Sequence, residues 1–242
     1  MILNQIIIAA TLEYITLASV IVPLVSYLLF CKRKQDIILR VLFFYIVYSS
    51  VNDNVLYFVV SERPSLLKLY HFLISLFTVV EFCILAWILY KLNTSRLRRI
   101  IISICATGFI LFCIITYFTS LKQLSFDSLP ASIEAILLLI FCIFYFYEQL
   151  TMIVSAPIYQ SNSFWIVFSI MVYTSLSFFL FLQSSITPFQ IIDNYWDINL
   201  VSNILKNIIF AIAFVIKEET PTNRGDMRQN ELKFRTTPSY KP

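Results

Sequence analysis

The sequence predicts an all-α integral membrane protein, a bundle of seven transmembrane helices with its N-terminus outside and its C-terminus in the cytoplasm. Three observations predict it. The 242 residues are 59% hydrophobic and 17% aromatic but only 13% charged, about half the charged share of a soluble domain. Apolar runs recur at close to the ~20 residues needed to cross hydrocarbon. Short polar connections, several containing proline, separate them. A mean hydropathy of +0.81 leaves more nonpolar surface than a water-soluble core of this size can hide, so lipid is part of the solvent.

The runs fall in order at 5–30, 37–60, 66–90, 99–119, 131–152, 163–184 and 195–217. The first has no basic residue before it and is longer than a signal-peptide core, so it reads as a retained span. Pro23 inside it should kink it. Pro64, Pro130, Pro157 and Pro188 fall between runs, where a missing amide proton costs least. Tyr195 and Trp196 open the last run at an interface. The runs are continuously apolar rather than alternating, and they are too long for barrel strands. Backbone polar groups in lipid must be satisfied within the segment or by a closed barrel, so these are helices. Residues 218–242 are polar and contain proline, the composition of a flexible cytoplasmic tail. The domain organisation expected is therefore a membrane domain over 1–217 and a tail over 218–242, without an attached soluble module.

Lysine and arginine set the orientation. Lys32, Arg33, Lys34 and Arg40 follow the first run, and Lys91, Arg96, Arg98 and Arg99 follow the third. Lys217, Arg224, Arg228, Lys233, Arg235 and Lys241 lie in the tail, whereas the opposite side has Arg63, Lys68 and Lys122. The richer side is cytoplasmic. The net charge of +4 sits at helix ends and in the tail and calls for no nucleic-acid partner. The environment expected is a cell membrane, in a bacterium the inner one.

The motifs exclude most enzyme chemistry. HExxH, GxSxG, paired CxxC and phosphate-cradling glycine loops are absent from the sequence. His71 is the one histidine, too few for a histidine-based metal centre. An intramembrane lysine permits serine–lysine chemistry, but no serine with a flanking glycine turn marks a nucleophile. No enzyme activity, metal or cofactor is expected. Cys31, Cys83, Cys105, Cys113 and Cys142 form no close pair. Cys31, beside Lys32, Arg33 and Lys34, has the position of an acylation site, and an interfacial cysteine is the plainer reading.

Ionisable groups within spans are functional candidates. Glu13 lies in the outer half of the first helix, and Asn52, Asp53 and Asn54 in the outer third of the second. Tyr70 and His71 open the third, with Glu81 near its middle. Glu134 is expected in the first turn of the fifth, with Glu148 and Gln149 near its inner end. Asn199, Asn203 and Lys206 share one stripe of the seventh, with Asn207 next to it. Polar groups on five helices at similar depth avoid lipid best by facing one another, which predicts a hydrated cavity open to the outside. Lys206 needs an anionic neighbour. Glu81 is at matching depth, with Asp53 or Glu13 next in order. Such a pair serves function or merely fixes helix register. His71 is either an interfacial, hydrogen-bonded group or a proton-sensitive one.

Lysine on the last of seven helices with a carboxylate on the third is similar to the arrangement in retinal proteins, where the lysine carries a Schiff base and the carboxylate is its counter-ion. The third helix, "LYHFLISLFTVVEFCILAW", lacks the Arg and paired-Asp pattern of microbial rhodopsins, and glycine is scarce (Gly108 and Gly225). Topology and outer polarity also resemble the seven-helix input regions that precede bacterial sensor kinases. The expectation is a stand-alone, receptor-like sensor. A small polar ligand or a proton would enter from outside, and a cytoplasmic or membrane protein partner would read the change. The alternatives are a proton or small-ion channel or carrier and an accessory subunit of a larger membrane complex.

Overall fold

The computed structural model describes residues 2–31, 36–56, 67–120, 129–151, 158–184 and 196–216. Almost all of them are helical: α1 (Ile2–Ser19), α2 (Ile21–Phe30), α3 (Ile37–Val55), α4 (Leu67–Leu92), α5 (Arg96–Ser120), α6 (Leu129–Thr151), α7 (Asn162–Ser184) and α8 (Trp196–Val215), with a 3-10 turn at Ile158–Gln160. Among the described residues there is no strand. The expected tail over 218–242, and residues 57–60 of the second run, lie outside the described residues.

Local chemistry explains the breaks. The first run is split at Val20. Pro23 has no amide proton for the Ser19 carbonyl and its ring crowds that carbonyl. The ladder resumes with Leu24 N–H donating to Val20 O at 3.4 Å. Asp36 caps α3, its side chain accepting from Ile38 N–H at 2.9 Å. Pro130 was expected before the fifth helix but is its second residue. There the missing amide proton is one that a first turn never uses, and the earlier start puts Glu134 in the second turn.

Six helices are long and apolar enough to cross a membrane: Thr11–Phe30, Leu69–Leu92, Arg96–Thr119, Leu129–Thr151, Asn162–Leu180 and Asp197–Val215. The exterior agrees, because Phe44, Ile104, Phe118, Leu150 and Phe179 are all exposed. A surface of large apolar side chains around a partly polar interior suits lipid as the solvent. Helix α3 is not among the six. It carries Arg40 and Asp53 along with a run of Ser and Asn.

The helices close into a ring. α8 packs on α7, α2 and α1; α7 packs on α6; and α4 touches α3, α5 and α6. The α7–α8 interface contains small polar residues that let backbones approach. Ser169 Oγ donates to Lys206 O at 2.9 Å, and Ser177 and Ser202 hydroxyls meet at 3.2 Å. The apolar core, with Leu42, Phe82, Leu85, Leu89, Leu138, Phe141, Ile166 and Phe210 fully buried, lies among these helices.

One end of the bundle is tied by a second polar network. Asn93 ends α4, its side-chain amide donating to Leu89 O at 2.8 Å. Glu148 of α6 accepts from Thr94 N–H at 3.1 and 3.2 Å, which holds the α4–α5 turn from a different helix. Arg98 pairs with Glu148 at 3.2 Å and donates to Phe144 O at 3.2 Å. Arg99 Nε donates to Asn93 O at 2.6 Å. The Glu148 carboxylate is therefore both acceptor for the α4–α5 turn and counter-ion, and it is 2% exposed. Replacing it with alanine removes both roles and strands Arg98. Glu148→Ala should cost about 2–4 kcal/mol, seen as a lowered thermal midpoint in mild detergent. A midpoint equal to wild type would show that the turn holds without it.

Candidate functional site

The polar centre assembles around Lys206, one stripe of α8 and three neighbouring helices. Lys206 is 3% exposed and Glu81 is 3% exposed, so neither charge reaches bulk water. Lys206 Nζ lies 3.8 Å from Glu81 Oε1. It donates to Tyr45 OH at 3.0 Å. Lysine has no acceptor, so the Tyr45 oxygen accepts and its proton goes to the Glu81 carboxylate, as a short hydrogen bond to Oε1. Tyr173 OH donates to Glu81 Oε2 at 3.5 Å, and its ring lies beneath the ammonium at 4.0 Å from the centroid. The site is thus an ammonium held by a carboxylate, a bridging hydroxyl and an aromatic face. These come from α8, α4, α3 and α7.

The physical reason for this set is the cost of a buried charge. An ion taken from water pays several kcal/mol even after relaxation. One contact at 3.8 Å does not offset that, but charge-assisted hydrogen bonds and a ring quadrupole acting together do. Tyrosines supply donors and a π-face without adding another charge.

The other candidates divide by place. Ser49 Oγ donates to Asp53 Oδ2 at 3.5 Å, and Asn52 is buried beside them. Asp53 and Glu134 both lie within electrostatic reach of Glu81 and Lys206. Glu134 is buried, with no hydrogen-bond partner for its Oε1 among the described residues. Asn203 Nδ2 donates to Asn199 O at 3.0 Å. It spends its amide on its own helix, although it shares the stripe of Lys206. Asn207 turns elsewhere and donates to Ser19 Oγ of α1 at 2.7 Å. Glu13 is half-buried on α1, and among the described residues no polar contact joins it to Lys206. His71 is half-buried with its ring edge against Tyr70 at 5.9 Å, outside the Lys206 contacts.

Two central residues escape a search for charges, namely Tyr45 and Tyr173. A signal for them existed. Tyr45, Ser49 and Asp53 recur every four residues on α3, and Ser169, Tyr173 and Ser177 do the same on α7. Both are polar stripes on one helical face. Among the described residues no group of three or more His, Cys, Asp or Glu is placed to hold a metal ion. No protein-family model, curated protein or solved structure matches the chain.

The cluster makes a specific energetic prediction. Lys206→Met or Glu81→Gln alone leaves the other group buried and mismatched, and each should cost about 3–5 kcal/mol. The double variant removes both charges, so its cost should fall below the sum of the singles by about 2 kcal/mol or more. Unfolding of the four proteins in detergent measures the difference. Additive costs would mean that the two side chains do not depend on each other.

Proposed function

We propose that the chain is a seven-span, receptor-like membrane sensor with its N-terminus outside, α1 and α2 forming one broken span and α3 supplying the seventh. Helix α3 belongs in the ring by its packing on α4 and α2. Its 19 residues reach about 28 Å, and its Tyr45 is wholly buried. Arg98, Arg99 and Lys91 gather with Glu148 at one end, the cytoplasmic one by the distribution of basic residues.

The observation that carries the reading is that one buried ammonium binds four helices. A proton or a small polar ligand arriving from the outer side, near Asn52, Asp53 and Glu134, changes which carboxylate Lys206 satisfies. A ligand shifts such an equilibrium only by binding its two states unequally, and the position of a buried charge is a large difference. Helix α4 runs from Glu81 through Trp87 to the Asn93 turn held by Glu148. A shift at Glu81 therefore reaches the cytoplasmic edge along one continuous helix, where a partner protein reads it.

A second reading, a proton channel or carrier, draws on the Tyr45 hydroxyl. It accepts from Lys206 while donating to Glu81, a geometry that also relays protons. Protein in lipid vesicles separates the two. Tryptophan emission, which includes Trp87 and Trp165 toward the inner end, should shift as the outer solution is taken from about pH 8 to about pH 5. An enclosed pH dye should report no more flux than empty vesicles. Lys206→Met should abolish the emission change. Flux above background would favour the carrier, and constant emission with no flux would remove both readings.

A further inference from the structure

The cluster around Lys206 holds more acids than bases. Asp53, Glu81 and Glu134 share one ammonium. Glu81 is matched by Lys206, Tyr45 and Tyr173. Asp53 is half-buried and accepts from Ser49. Glu134 differs from both. It is 7% exposed, and its Oε1 is buried with no hydrogen-bond partner among the described residues.

Its position on α6 is inward. Leu138 and Phe141, one and two turns further along the same face, are fully buried. Phe141 meets Phe82, the neighbour of Glu81 on α4, with ring centroids 6.4 Å apart. Among the described residues, the titratable groups within electrostatic reach of Glu134 are Glu81 and Cys83 from α4, Cys113 from α5, Tyr45 from α3, Tyr173 from α7 and Lys206 from α8. Of these only Lys206 is a cation, and it is engaged by Glu81. Among the described residues, an ionised carboxylate at Glu134 would have no donor to Oε1 and no counter-ion of its own. A group so placed neutralises rather than bear the desolvation cost.

We infer that Glu134 is a proton-binding site, neutral while Lys206 is held by Glu81 and giving its proton to water on the outer side when it ionises. The O–H bond breaks, the proton leaves to solvent, and the carboxylate left behind competes with Glu81 for the Lys206 ammonium. This deepens the sensor reading and rests on it for the consequence, not for the site itself. The ligand is then the proton, which needs no cavity.

Infrared spectroscopy of the protein in lipid vesicles tests the site directly. Wild-type protein near neutral pH in choline chloride should show the carbonyl band of a protonated carboxylic acid, shifting in heavy water. Glu134→Gln should lose that component. An absent band, an unchanged spectrum in E134Q, or loss of the band when choline is exchanged for sodium would overturn the proposal, the last by making the occupant a metal cation. If E134Q does not fold, wild-type protein still decides, because the band must disappear reversibly in alkali. Loss of that proton leaves a buried carboxylate without a donor to Oε1 among the described residues, so the folded state weakens as the group ionises. The thermal midpoint should drop by about 3 °C or more between about pH 6 and about pH 9, and a flat midpoint counts against the site. A Glu134 band with constant tryptophan emission keeps the site and removes the sensor. An emission response with an unchanged E134Q spectrum does the reverse.

Discussion

A lysine ammonium inside an apolar bundle must be balanced from within the bundle, and the arrangement of the surrounding helices follows from that requirement. Lys206 is buried, so its charge has to be spread over protein groups. Glu81 supplies the opposite charge, Tyr45 the short polar link between them, and Tyr173 a π-face. Because each group belongs to a different helix, the ammonium fixes the relative rotation of α3, α4, α7 and α8. Hydrocarbon packing alone would not, since Leu and Phe side chains pack nearly as well after a small rotation. The polar contacts specify one register out of several greasy ones.

The same helix carries the other unusual contact. Lys206 and Asn207 are adjacent, so their side chains leave α8 about 100° apart. One faces Glu81, and the other donates to Ser19 at the break between α1 and α2. That break exists because Pro23 frees the Ser19 carbonyl from the ladder. The hydroxyl of Ser19 in turn donates to Thr16 O at 2.7 Å. A rotation of α8 that moves Lys206 must therefore move the one point where the first span is already interrupted. At the far end, Glu148 closes the α4–α5 turn with Thr94 and Arg98, so that end of the bundle is tied to α6 and not free to follow independently.

Much of this was legible in the residues, for reasons that differ by element. Helix existence was plain because hydrocarbon tolerates few alternatives, although the first run is broken at Val20, α3 is not among the six helices apolar enough to cross, and Pro130 entered the first turn of α6. Lys206 and Glu81 could be matched by depth because a charge in lipid has to find its opposite. Depth says less near the interface. Glu13 and His71 lie toward helix ends, where headgroups and water relax the demand, and neither shares a polar contact with Lys206 among the described residues. Tyr45 and Tyr173 were hidden because tyrosine is common in membrane helices and carries no charge, and only its four-residue spacing from Ser and Asp betrays it. Glu148 was visible as an inner polar residue, but its partner is the Thr94 amide. A backbone group has no letter in the sequence, so a turn held from a different helix cannot be read from one.

On the proposed reading, the surplus of acids over bases gives the centre its capacity to change state. A lysine with a single carboxylate has one arrangement and locks the bundle. A lysine with Asp53, Glu81 and Glu134 all within electrostatic reach would have several. Its four-carbon stem lets the ammonium travel several ångströms without backbone movement, while the tyrosine ring below it provides a surface to cross. On the proposed reading, protonation at Glu134 selects among these arrangements, and packing converts the selection into a helix movement because a dense core is bistable rather than continuously deformable. The short polar link through Tyr45 then matters for a reason beyond stability. It makes the Glu81 arrangement tight when formed and lost as a unit when the ammonium leaves, and that steepness separates a switch from a graded titration.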